Sequence, residues 1–335
     1  MKILFDHPQP FFLAHGGFQV QIEQTKRGLE AAGVLVEFVR WWDPAQNGDV
    51  IHFFGRPSAT YISLARKKGI RIVLSELLTG LGSRSASARI TQKWLTRLAK
   101  AVLPSHFTHR LAWEAFELAD AVVAGTQWEA RLFAEIFDVA REKIVCIENG
   151  VESVFFRDEK VVRGKWLVCT ATITERKRVI ELAAAAVRAE VPVWIVGKPY
   201  SVQDRYAQQF VEFAKRHADF VRYEGPIEDR SRLAQVYREA RGFVLLSEME
   251  SLSLSAGEAA ACGCPLLLSD LPWGRSAFGT GASYCPISSP DKTSAALRIF
   301  YERGPELPLP PQPKSWPEIG SELQALYRKL LSTSR

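Results

Sequence analysis

The segment SEMESLSLSAGEAAACGCP, residues 247–265, sets two carboxylates, Glu250 and Glu258, eight positions apart across a serine-rich stretch. A carboxylate accepts paired hydrogen bonds from adjacent hydroxyls, so ribose or a hexose is a natural partner. Backbone N–H groups left open where a helix begins, here around Ser251, Leu252, Ser253 and Leu254, hold phosphate or sugar oxygens. Gly257 and the alanines at 259–261 let such a helix pack closely on a sheet. Two readings stand at this point. The segment is a charged surface turn, or it is a site for a sugar bearing hydroxyls and phosphates.

Two further loops carry groups of the right kind. In CTATITERKRV, residues 169–179, Arg176, Lys177 and Arg178 gather at the start of a helical pattern. Cations there oppose the helix dipole, and a diphosphate would supply the compensating anion. A solvated charge run gives the same letters. In DHPQPFFLAHGGFQ, residues 6–19, Gly16 and Gly17 sit just before a helix, where bare amides suit an anion and where an ordinary tight turn also fits. The loop lacks G-x-G-x-x-G, so a nicotinamide dinucleotide site, and with it a dehydrogenase, is not supported.

Short apolar runs alternate with helical patterns almost from end to end. KILF, VLVEFV, DVIHFF, IRIVLS, ADAVVAG and KIVCIENG predict strands in the first half, with GFQVQIEQTKRGLEAAG and QWEARLFAEIF as helices among them. KWLVCT, PVWIVG, FVRYEG, GFVLLS and PLLLS restart the pattern in the second half. This βα alternation predicts an α/β fold of two Rossmann-like domains with parallel sheets facing a cleft, ligands gathering at the carboxyl ends of the strands. The expected divisions are residues 1–155, then 160–304, then a crossing segment at 305–317. Six prolines in residues 303–318 require that segment to be extended, and a last helix at about 315–335 returns to the first domain.

Composition narrows the classes. The 335 residues are 47% hydrophobic and 24% charged, as in a soluble globular protein. No opening stretch reads as a signal peptide and no window suffices to span a bilayer, so the expected place is cytoplasmic, soluble or peripheral on the inner face of a membrane. Five cysteines do not resemble a disulfide framework, and reduced, buried thiols are expected, with no metal. The net charge of +6 is unevenly placed. From Leu77 to Trp113 no acid occurs, while Arg84, Arg89, Lys93, Arg97, Lys100 and Arg110 do. Within that stretch Ile90, Trp94 and Leu98 form one helical stripe. Either the stripe packs on its own domain and the basic face is solvated, or residues 84–110 meet an anionic membrane or acceptor. Nucleic acid is not expected, because no binding motif accompanies the charge.

SEMESLSLSAGEAAACGCPLLLSD closely resembles the signature of the large GT-B-fold family of retaining glycosyltransferases: Ser, Glu, seven residues, a second Glu, small residues, then Gly and Pro before a strand. YEGPIEDRSRLAQVYREARGFVLLS, ENGVESVFF and the opening 33 residues are similar to other parts of that family, and the resemblance spans nearly the whole chain. It implies transfer of a sugar from a nucleoside-diphosphate sugar, UDP or GDP type, to a glycan, lipid-linked or small-molecule acceptor, with retention of configuration and no cofactor or metal. It gives Glu258 the ribose hydroxyls and Glu250 the donor sugar, aided by amides of Ser251, Leu252, Ser253 and Leu254. Lys177 would neutralise the diphosphate and act with Glu250 in catalysis, and Gly16 and Gly17 would let the first domain approach it. Two positions depart from the pattern. Thr172 stands where the family has an arginine, with Arg176 or Arg178 as substitutes, and the strand RIVLS ends in Ser75 followed by Glu76 where the family has a histidine. His106 and His109 lie farther along. A non-catalytic protein that binds nucleotide sugar, or a partner, is the alternative.

Overall fold

A computed structural model describes residues 1–11, 16–102, 112–156 and 161–333. The chain divides into two compact units, Met1–Gly150 with Trp316 onward, and Val151–Ser315.

The first unit runs β1 (Lys2–Asp6), α1 (Gly17–Ala31), β2 (Leu35–Phe38), β3 (Val50–Phe54), α2 (Ala59–Lys67), β4 (Arg71–Ser75), the single turn α3 (Thr79–Gly82) and α4 (Ala86–Val102). It continues with α5 (Glu114–Leu118), β5 (Ala121–Ala124), α6 (Gln127–Phe137) and β6 (Ile144–Cys146). Buried runs such as VIHFF and AVVA lie inside a sheet covered on both faces, which is why they lack polar alternation. The strands pair in parallel in the order β2-β1-β3-β4-β5-β6. Ser58 and Thr126 start α2 and α6 by accepting from the N–H groups of Tyr61 and Glu129.

The second unit contains β7 (Leu167–Thr170), α7 (Val179–Ala189), β8 (Val193–Val196), α8 (Arg205–Arg216), β9 (Val221–Tyr223), α9 (Arg230–Glu239) and β10 (Gly242–Leu245). Then come α10 (Leu254–Ala261), β11 (Leu266–Ser269), α11 (Pro272–Phe278), β12 (Ser283–Cys285) and α12 (Pro290–Arg303). Its parallel order is β12-β11-β10-β7-β8-β9. The chain winds from β7 to β9 in one direction, returns to the far side of β7 as β10, and winds away again. The carboxyl ends of β7 and β10 thus flank the point where the winding reverses, the place where open parallel sheets leave a crevice for ligands.

The last helix, α13 (Trp316–Ser332), belongs to the first unit and lies against α1. Their approach is set by two glycines: a Cβ on Gly28 would stand 2.3 Å from the Trp316 carbonyl oxygen, and one on Gly320 would stand 2.1 Å from the Gly28 carbonyl oxygen. Those neighbours are backbone and cannot rotate aside. Gly320→Val is therefore expected to destabilise the first unit by about 3 kcal/mol or more, the upper range of overpacking costs. An unaltered urea midpoint for that unit would contradict the helix contact.

Two expectations change. In α4 the stripe does not pack inward: Ile90, Trp94 and Leu98 are all exposed, and Arg97 turns to Asp138 on the same unit. Of the five free thiols, Cys169, Cys264 and Cys285 are buried, but Cys146 and Cys262 are only half-buried. Among the described residues no helix is long and apolar enough to cross a membrane.

Candidate functional site

The site is built on the loops after β7 and β10. After β7 the chain makes one 3-10 turn, Glu175–Lys177, and Arg178 adopts a left-handed conformation (φ 53°) before α7 begins. The three cations therefore come just ahead of the helix, with Arg178 at its N-cap. Loop joins loop through backbone, with the Glu248 N–H donating to the Arg176 carbonyl at 2.9 Å. The Ser247 hydroxyl also donates to that carbonyl at 3.2 Å, and Ser269 donates to the Ser247 carbonyl at 2.6 Å.

This clamp brings Lys177 and Glu250 into a direct ion pair, with only 12% and 10% of their side chains exposed. Arg176 Nη1 reaches the same Glu250 oxygen at 3.4 Å and also donates to the Met249 carbonyl. Arg178 pairs with Glu248 at 2.7 Å. The counter-anions of the basic cluster are thus carboxylates of the β10 loop. On a helix, adjacent residues diverge; in a 3-10 turn against this loop, Arg176 and Lys177 converge. Thr172, in the loop after β7, is half-buried and makes no side-chain bond among the described residues.

Past Glu250 the loop ends on Ser253, whose hydroxyl accepts from the Ala256 N–H at 3.3 Å and starts α10 at Leu254. The backbone N–H groups of Ser251, Leu252, Ser253 and Leu254 take no acceptor among the described residues, and the buried Ser251 hydroxyl has no partner there. Four open amides and one orphaned hydroxyl beside a cationic pair form a set of hydrogen-bond donors suited to anionic or sugar oxygens.

Glu258 lies within α10, one turn in, rather than at its edge. It is 8% exposed and paired with Arg230, the first residue of α9; the Tyr237 hydroxyl donates to its other oxygen at 3.4 Å. Burial pushes the Glu258 carboxyl above its ordinary range, and the Arg230 charge opposes that shift. Arg230 also donates to Glu152 at 2.9 Å and lies 4.8 Å from the centre of the Phe155 ring. The sequence reading missed Arg230, Glu152 and Tyr237. The only letter-level signal was a cation directly after the Asp229 cap.

In the first unit, Gly16 caps α1 at φ 151°, ψ −172°, a conformation that residues with a side chain rarely adopt, and Gly17 is the first residue of the helix. Glu76 follows β4 and pairs with Arg56 at 3.1 Å, its carboxyl raised mainly by burial. Ser75 turns inward to His52 Nε2 at 2.7 Å. His106 and His109 lie outside the described residues. Among the described residues no cluster of His, Cys, Asp or Glu could hold a metal ion.

The sequence pattern of the family "Glycosyl transferases group 1" matches residues 164–302, and that of the "Glycosyl transferase 4-like domain" matches residues 11–150. The chain is 28% identical over 205 residues to a D-inositol 3-phosphate glycosyltransferase of Thermomonospora curvata. That match covers 53% of this chain and 47% of the relative, so it spans about half the relative's length. In fold the chain is similar to a sucrose-phosphate synthase from Thermosynechococcus elongatus, with a TM-score of 0.69, 17% identity and 100% of both chains covered. It is likewise similar to Anabaena HepE in complex with UDP-glucose, with a TM-score of 0.64, 13% identity, and 98% of this chain and 100% of that one covered. Two parallel six-stranded units, a pattern match in each and these likenesses agree on the GT-B fold, and the chain belongs to the group 1 glycosyltransferases.

Proposed function

We propose that this glycosyltransferase moves a hexosyl group from a nucleoside-diphosphate sugar to a carbohydrate or lipid-linked acceptor, with retention of configuration and without a bound metal. The observation that carries the reading is the convergence of Lys177 and Arg176 on Glu250 where the β7 and β10 loops meet. In the transfer, the bond from the anomeric carbon to the diphosphate oxygen breaks and that oxygen keeps the electron pair. The acceptor hydroxyl attacks from the same face, forms the new glycosidic bond and gives its proton to the departing diphosphate oxygen. Negative charge grows on the leaving diphosphate, and Lys177 is the group that answers it, with Arg176 taking the place left by Thr172. The open amides of Ser251–Leu254 and the Glu250 carboxylate hold the sugar, and Glu258 takes the ribose hydroxyls. A solved protein of this fold holds UDP-glucose, which supports UDP as the nucleotide to try first.

A non-catalytic nucleotide-sugar binder remains the competing reading, and the second cation on Glu250 favours catalysis over it. The test is a thermal-shift screen of UDP- and GDP-sugars followed by transfer assays on a panel of acceptors. Glu258→Ala is expected to weaken donor binding by about 1–3 kcal/mol, the scale of hydrogen bonds to a charged group. Undiminished nucleotide affinity in the folded variant would remove Glu258 from the site. Binding with no product from any acceptor would favour the competing reading.

A further inference from the structure

α4 presents to solvent the face that an amphipathic helix normally buries. Ile90, Trp94, Leu98 and Val102 recur every fourth residue, Leu95 lies beside them, and all five are between 56% and 69% exposed. The opposite side is the attached one. Thr96 is 1% exposed, the helix lies against α6, the Arg89 guanidinium sits 4.6 Å from the centre of the Trp128 ring, and Arg97 bonds Asp138 at 2.6 Å. Seventeen residues give a rod of about 25 Å with one continuous apolar stripe. Such a stripe, rimmed by charge, marks an interaction surface.

The rim identifies the partner. No acid lies between Leu77 and Trp113, and Arg84 and Lys93 have no carboxylate partner among the described residues. From these observations we infer that α4 docks on an anionic phospholipid surface, lying in the interface plane with Ile90, Trp94, Leu95, Leu98 and Val102 among the acyl chains and Arg84 and Lys93 at the headgroups. A second copy is disfavoured, because a two-fold pairing of this stripe would set basic rim against basic rim. Trp94, near the middle of the stripe, is of the residue type that concentrates at membrane interfaces. The inference goes beyond sugar transfer and does not depend on it.

The test is co-sedimentation of the full chain with phosphatidylcholine vesicles, with and without phosphatidylglycerol, in the absence of any sugar nucleotide. The wild type is expected to pellet with the anionic vesicles and to be released as salt rises. Trp94→Glu combined with Leu98→Glu should lower the partition coefficient by about tenfold or more, since two large apolar groups leave the acyl region. Arg84→Gln and Lys93→Gln should each lower it by about fivefold at low salt. Arg84, Trp94 and Leu98 are exposed and Lys93 is half-buried, and unaltered circular dichroism and nucleotide affinity would show that the variants fold. A wild type that stays in the supernatant overturns the inference. So does a double glutamate variant that binds like wild type, or a wild-type dimer that the glutamates split, which would assign the face to a second copy. Failure here leaves the donor-site reading intact, and vesicle binding without nucleotide binding would fail only the latter.

Discussion

Lys177→Ala is expected to lower the rate of sugar transfer about 100- to 1000-fold, the usual loss when one preorganised charge on a developing anion is removed. Lys177 is mostly buried against Glu250 on a loop fixed by the Ser247, Glu248 and Ser269 bonds, so no flexible neighbour can take its position. Arg176 stays 3.4 Å from Glu250 and carries a longer, planar head. It can keep the loop folded without placing a point charge where Lys177 Nζ stands. A purely structural lysine would behave differently. Its loss would lower stability and nucleotide affinity together, and Lys177→Met with Glu250→Gln, which removes both members of the ion pair, would restore both. If Lys177 meets the leaving diphosphate, the double variant regains stability while nucleoside-diphosphate affinity stays low. Normal turnover in Lys177→Ala would end its assigned role.

The contrast between Glu250 and Arg230 shows what a sequence of letters carries. Glu250 and Glu258 stood out because they share one short segment with small residues and serines, and the buried strand runs on either side announced a parallel sheet. Arg230 stood 28 positions before its partner among other arginines of α9, Arg232 and Arg238, and only the packing of α9 on α10 selects it. The cation cluster was legible as lying at the start of a helix, but not its partner: the 3-10 turn that ends at the left-handed Arg178 lets two adjacent side chains meet one carboxylate. In α4 the 3.6-residue period was legible but not its direction. A stripe does not state whether protein or solvent lies beyond it, and α6 takes the other side.

His52 was invisible inside the run VIHFF, yet it governs the expected acid response of the first unit. It sits on β3, 1% exposed, with Nδ1 2.6 Å from the Tyr327 hydroxyl of α13 and Nε2 2.7 Å from the Ser75 hydroxyl of β4. Its other neighbours are rings: Phe54 stacked at 4.4 Å and Phe5 edge-on at 5.5 Å. No carboxylate faces it among its bonded partners, so burial alone pushes its pKa down to about 3. In the unfolded chain the imidazole titrates near its ordinary value of about 6.5. Between those two values the unfolded chain takes a proton that the folded chain refuses. Stability is therefore full above about pH 6.5 and falls as the pH drops toward 3, by about 5 kcal/mol at full extent. Because Tyr327 anchors α13, protonation should detach that helix from the sheet. Urea midpoints of the first unit for wild type and His52→Gln, compared at matched pH, are the measurement. The variant is expected to start less stable at neutral pH and to lose less on acidification, and parallel pH curves for the two proteins would contradict the buried neutral imidazole. The matched comparison matters because Glu258, raised by burial in the second unit, acts in the opposite sense: its cost to folding appears as the pH rises through the carboxylate range, and the His52 substitution leaves it unchanged.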